Sequence, residues 1–222
     1  MNKFSLENIT LAIANSPEIL GKDKYFNSAV LVPLVEIENK FHFLFEKRAN
    51  HIRQGGEVSF PGGEYDNRKD QGLRHTALRE TSEELGIPPE KIKIIGKIGT
   101  LVAPMGVTVD AFVGQLWIQS IDELKIDTNE VEKVFLVPVE HFLKKKPEEY
   151  TVKLEVHPSY VDETGNQIEL LPVQKLGLPE RYSRPWKNGF HRVLVYNSTE
   201  EVIWGITAEI VFELCRMINS AK

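Results

Sequence analysis

Apolar positions change their spacing several times along the chain, and each change marks an element. From Ser5 to about Leu20, Leu6, Ile9, Leu11, Ile13 and Ile19 are interspersed with polar residues up to Gly21, which predicts a short helix as an ornament on the main fold. The runs Ala29-Val30-Leu31-Val32 and Phe41-His42-Phe43-Leu44-Phe45 then predict a β-hairpin around the polar turn Glu38-Asn39-Lys40. A glycine-rich loop from Gly55 to Gly63, enclosing Val58-Ser59-Phe60, leads to a helical pattern from about Leu73 to Leu85 that ends at Gly86 and Pro88. Further strands are expected at Ile92–Ile95, Val107–Ile118 and Val131–Val137. A last helix is expected over Thr207–Asn219, with Ile210, Val211, Leu214, Met217 and Ile218 at helical spacing. Between 144 and 196 the signal thins to the basic run Lys144-Lys145-Lys146, the turn Glu163-Thr164-Gly165-Asn166 and scattered prolines. That texture suits an insertion, with a hairpin and loops, more than a second domain. The whole pattern predicts a mixed sheet flanked by helices.

Composition narrows the class. At 222 residues with 27% charged and 41% hydrophobic residues the chain is an ordinary globular protein, long enough to build a core without disulfides. A net charge of −5 provides no general basic field, so nucleic acid is not the expected partner, and a polyanion must be held by a local site or by metal ions. The single cysteine, Cys215, fits a reducing compartment, with the cytoplasm as the default, and excludes a Cys-based zinc site. No run approaches the ~20 apolar residues of a membrane span, and no export signal is evident at the amino terminus.

The chemistry concentrates on the helix of residues 73–85. Glu80, Glu83 and Glu84 stand at i, i+3 and i+4, within an arc of about 100° on one face. Such like charges repel unless an oxygen-seeking divalent cation neutralises them, and Arg79 reaches Glu83 at i+4. Acids on a helix are often only a solvated face. Here the arc borders Leu73 and Ala77, and the turn Phe60-Pro61-Gly62-Gly63 lets backbone approach a ligand, which favours a Mg²⁺ or Mn²⁺ site acting on a phosphate substrate.

At these residues the chain resembles the Nudix hydrolase family, whose box reads G-x5-E-x7-R-E-U-x-E-E-x-G-U, with U a bulky apolar residue. Arg79-Glu80-Thr81-Ser82-Glu83-Glu84-Leu85-Gly86-Ile87 matches its second half, with Thr81 in place of an apolar residue. In the first half Gln71 falls where the early Glu belongs. Asp70 fits only if one residue is added on each side, so it is not assigned as a metal ligand. Leu44-Phe45-Glu46-Lys47-Arg48, Ile52-Arg53 and Gly56-Glu57-Val58-Ser59-Phe60-Pro61-Gly62-Gly63 are similar to the extended motif of the coenzyme A pyrophosphatase branch, as is Trp204-Gly205-Ile206-Thr207-Ala208. Ala49 replaces that motif's usual Ser, and one residue is missing between Arg53 and Gly56.

The resemblance implies an α/β/α Nudix sandwich with a mixed β-sheet forming one domain over 1–222. An N-terminal helical extension would occupy 1–26 and an insertion 144–196, with a homodimer left open. It implies hydrolysis of a small-molecule diphosphate, with one to three Mg²⁺ or Mn²⁺ ions on Glu80, Glu83, Glu84 and the Gly63 carbonyl. Arg79 would support the acids, Glu80 or Glu83 would take the water's proton, and Arg48, Arg53 and Gly62 would contact substrate. Coenzyme A would give 4′-phosphopantetheine and 3′,5′-ADP. ADP-ribose or a related nucleoside diphosphate derivative is the neighbouring alternative, and a catalytically silent binding module the alternative of another class.

The remaining residues carry plainer expectations. Arg48 is equally suited to a salt bridge with Glu46 or Glu57. His51, His75 and His191 show no ligand spacing and fit surface or polar-network roles. Cys215 falls on the apolar face of the last helix and Lys144–Lys146 on a solvated turn. Tyr160, Tyr182, Trp186 and Phe190 are divided between stacking on a substrate and forming the insertion's own small core.

Overall fold

The computed structural model describes residues 6, 10, 11, 19–197 and 199–221, without the side chains of 187 and 188. The helix expected near 5–20 lies outside them apart from residues 6, 10, 11, 19 and 20. No helix among the described residues is long and apolar enough to cross a membrane.

The first hairpin joins β1 (Phe26–Ile37) to β2 (Lys40–Arg48) through Glu38 and Asn39, both left-handed at φ 48° and 61°. Two consecutive left-handed residues match the twist of the flanking strands, so a two-residue turn suffices. The chain then adds β3 (Val58–Ser59) to β2 and β4 (Gly62–Glu64) to β1. Helix α1 (Leu73–Leu85) follows, and Gly86 ends it in a left-handed cap at φ 58°, where a side chain would strike the Lys125 carbonyl. β5 (Ile92–Ala103) pairs antiparallel with β6 (Val107–Leu116), β6 runs parallel to β1, and β7 (Val131–Pro138) lies beside β2. Strand order β3-β2-β1-β6-β5, with β4 on β1 and β7 on β2, makes the mixed seven-stranded sheet that the apolar runs imply.

Each face of the sheet has its own core. Ala29, Leu31, Val35, Leu44, Phe112 and Leu116 pack under Ala77 and Leu85 of α1. On the other face, Val32, Phe43, Phe45 and Phe135 pack under Phe142 of α2 (Val139–Lys144) and under Ala208, Ile210, Val211 and Cys215 of α3 (Gly205–Ser220). The molecule is thus the expected α/β/α sandwich, with Cys215 buried as a packing residue. Phe45 stacks on Phe60 at 4.8 Å and on Phe135 at 5.6 Å. Each such pair adds roughly 1 kcal/mol beyond area burial and fixes the end of β2 against the glycine loop.

The segment expected as an insertion is more ordered than its proline content suggests. β8 (Glu148–Val156) pairs antiparallel with β11 (Trp186–Tyr196), which also carries β12 (Ile203–Trp204), while β9 (Ser159–Val161) and β10 (Gln167–Glu169) form a small hairpin. Leu194 and Tyr196 at the end of β11 belong to the core under α3. Tyr182 meets Trp186 edge to face at 5.4 Å, but Phe190 and Tyr160 are exposed, so the four aromatics do not form one core.

Candidate active site

Helix α1 lies across the sheet with Thr76, Ala77, Thr81, Glu84 and Leu85 buried. Thr81, the departure from the box, donates its hydroxyl to the Ala77 carbonyl one turn back at 2.7 Å. Its polar atom is thereby satisfied within the helix, and the rest of the side chain packs at the buried position. Glu80 and Glu84 share that side of the helix, whereas Glu83 lies at its edge with its side chain 58% exposed.

The glycine turn meets the two inner acids. Gly62 donates its amide to Glu84 Oε2 at 2.8 Å. Gly63 lies so close to Glu80 that a Cβ there would stand 2.5 Å from Oε1, while a Cβ on Gly62 would strike the Ala29 carbonyl. Only glycines allow this double approach of β4 to the sheet and to the helix.

Arg79 organises the outer side. Its Nη1 reaches Glu80 at 2.8 Å and Glu83 at 3.0 Å, and its Nε and Nη2 grip the two oxygens of Asp70 at 2.8 and 2.9 Å. Asp70 is buried and also bonds His75, Thr76 and the Asp66 amide. It is an anchor for Arg79, and His75 joins the same polar network. The Arg79 bonds hold the Asp70 carboxyl far below the usual range. A depressed carboxyl pKa stabilises the fold above the unfolded value and is lost as pH falls through the folded one. Asp70→Asn should therefore cost about 3 kcal/mol near neutral pH, and the gap to wild type should narrow in acid. Urea denaturation followed from pH 7 to 3 checks both expectations, and equal stability at pH 7 would refute the anchor.

Two acids were not singled out from sequence. Glu46 on β2 has no solvent exposure; Ser59 donates to its Oε1 at 2.9 Å. Its Oε2 is a buried polar atom with no hydrogen-bond partner among the described residues. Burial pushes the Glu46 pKa up to about 7, Ser59 and Arg48 oppose this, and the charges of Glu130 and Glu80 reinforce it. Glu84 is raised by burial and then by Glu46, and Glu80 by burial against the pull of Arg79. Glu130, in the loop before β7, adds its charge to all three. One signal for Glu46 was available: on β2 it shares the face of Leu44, which is buried under α1.

Arg48 does not bridge to Glu46 or Glu57. Its Nε donates to the Arg53 carbonyl at 3.3 Å, and the Arg53 guanidinium rests 5.7 Å from the centre of the Phe26 ring. Among the described residues neither arginine has a carboxylate at ion-pair distance. An open groove of about 590 Å³ runs along Arg79 and Glu80, with residues 64–69 as its other wall. That volume suits a small-molecule substrate.

No group of three His, Cys, Asp or Glu side chains among the described residues is drawn together as a metal centre. Glu84 turns to the Gly62 amide, and Glu80 and Glu83 turn to Arg79. The donor chemistry nonetheless fits a hard cation. The set is all oxygen, and its inner carboxylates are buried beside one another with one oxygen unpartnered.

Fold and acid-bearing helix together define a Nudix-type sandwich, and comparison with known proteins agrees. The family described as NUDIX domain matches residues 26–158. The chain is 30% identical over 222 residues to the Nudix hydrolase NudL of Photorhabdus laumondii, covering 99% of this chain and 96% of that one. It is 38% identical over 130 residues to the human mitochondrial coenzyme A diphosphatase NUDT8, covering 56% of this chain and 53% of that protein. Nudix hydrolase 3 of Caenorhabditis elegans is 34% identical over 145 residues, and the chain spans 60% of its length. A MutT/nudix family protein from Enterococcus faecalis superposes with a TM-score of 0.49 at 15% identity, over 98% of this chain and 71% of that one. The chain belongs to the Nudix family, hydrolases of phosphoric anhydride bonds that use divalent cations.

Proposed function

We propose that this chain hydrolyses the diphosphate of coenzyme A or its derivatives, releasing 3′,5′-ADP and 4′-phosphopantetheine. The observation that carries the reading is the pair Arg48 and Arg53, two guanidinium groups beside the glycine loop with no carboxylate at ion-pair distance among the described residues. Forked donors of this kind suit phosphate oxygens. The likeness of the surrounding motif to the coenzyme A branch, and of 130 residues to a relative named as a coenzyme A diphosphatase, supports the same substrate.

Glu80, Glu83, Glu84 and the Gly63 carbonyl would hold Mg²⁺ or Mn²⁺. Such a cation, when bound, would supply charge neutralisation on the diphosphate and a more acidic water for in-line attack. The chain's own groups do the rest. The Gly62 amide keeps Glu84 turned inward, Arg79 orients Glu80 and Glu83 from the Asp70 anchor, and the water's proton passes to Glu80 or Glu83.

The test is a substrate panel. Coenzyme A carries a 3′-phosphate that dephospho-coenzyme A and ADP-ribose lack, and one charge-assisted arginine bond to it contributes about 2 kcal/mol, roughly thirty-fold in kcat/KM. Coenzyme A should be preferred over both by about that factor, with Arg53→Ala hurting it more than ADP-ribose. Faster turnover of ADP-ribose with coenzyme A inert would overturn the substrate and leave the diphosphatase chemistry standing.

A further inference from the structure

We infer that Glu46 is a further ligand for the divalent cation, meeting the carboxylates of α1 from the strand side of the site. This rests on the metal reading above, and it extends the donor set from the helix and its glycine turn to β2.

Three observations converge on it. The first is position. β2 pairs with β3 through Glu46 and Ser59 on one side and with β7 through Glu46 and Val134 on the other. The carboxylate therefore comes from a strand paired on both sides, on the face that Leu44 presents to α1. The second is valence. Ser59 Oγ satisfies Oε1 alone, and the other oxygen is buried with no hydrogen-bond partner among the described residues. Neither protonation state repairs this within the protein, because a carboxylate Oε2 needs a donor or a cation and a carboxyl O–H needs an acceptor.

The third is charge. Among the charges acting on Glu46, that of Arg48 is the largest and favours the ionised form, the acids Glu130 and Glu80 oppose it, and Glu46 in turn acts on the buried Glu84. A buried acid facing other acids is a poor element of a fold and a good element of a cation site, where each oxygen finds a positive centre. Ser59 then acts as the outer partner that fixes which oxygen faces inward, as hydrogen-bonded carboxylate ligands commonly require.

Calorimetric titration of the full chain with Mn²⁺ alone, without substrate, tests the assignment. Glu46→Gln should weaken Mn²⁺ binding at least about 10-fold. Ser59→Ala should weaken it by a smaller factor, and the surface variant Glu140→Gln should leave it unchanged. Circular dichroism establishes that each variant is folded. Wild-type affinity in folded Glu46→Gln overturns the inference, and if that variant does not fold, unchanged affinity in Ser59→Ala does so. Glu80→Gln separates the two levels of the argument. Weakening there but not at Glu46 removes Glu46 alone, whereas a wild-type chain that binds no Mn²⁺ removes the metal reading with it.

Discussion

Exhaustive chelation should abolish turnover and lower the melting temperature, and Mg²⁺ or Mn²⁺ should restore both. The expectation follows from the cost of the inner acids. Glu46 and Glu84 are buried, Glu80 is mostly so, and Glu130 adds its field, while the site's main cation, Arg79, spends two donors on Asp70. A divalent ion that binds the native chain relieves this repulsion and stabilises by mass action, about 2.7 kcal/mol at a hundredfold excess over Kd. For a chain of this size that is a shift of roughly 5–10 °C. Thermal melts with EDTA, then with added cation, read the stability, and product release reads the activity. Undiminished turnover after complete chelation would remove the metal from the mechanism.

What the sequence discloses depends on whether a residue's role is local. Leu73–Leu85 was legible to its ends because helical spacing inside and a left-handed glycine outside are both local signals. β5 was legible only as far as Ile95. Its pairing with β6 shifts register between Ile94 and Gly96 and again between Lys97 and Gly99, and these bulges break the alternation that marks a strand. β11 escaped for another reason. Its partner β8 lies some thirty residues away, and much of the pair is exposed, so neither strand shows a sustained apolar face.

The same distinction holds in the site. The Arg79–Glu83 contact is one helical turn and could be counted. The Asp70 grip depends on how the 66–70 turn, closed by the Asp70 amide on the Asp66 carbonyl at 2.8 Å, takes up the extra residue in the box. Glu46 was quoted within a motif yet not as a site residue, since a lone glutamate in a strand reads as solvent-facing until the sheet shows what covers it.

Glu84→Gln should lower kcat by at least ~10²-fold, about 2.7 kcal/mol of transition-state stabilisation, while leaving the fold as stable as wild type or more so. The substitution keeps shape and volume, and the glutamine carbonyl still accepts the Gly62 amide that Glu84 now receives at 2.8 Å. What it removes is a buried charge whose neighbours Glu46, Glu80 and Glu130 are all acids. The apo fold therefore loses repulsion, and the amide nitrogen brings a donor to the neighbourhood of Glu46. Catalysis loses a charged ligand, for which a neutral amide is a poor substitute toward a hard cation. Glu80→Gln should show a comparable rate loss with a small cost in stability, since it gives up the Arg79 contact at 2.8 Å. Steady-state kinetics beside thermal melts separates the outcomes. A melting temperature that falls as far as that of Asp70→Asn would make Glu84 a structural acid, and near-normal kcat in both variants would place the chemistry away from α1.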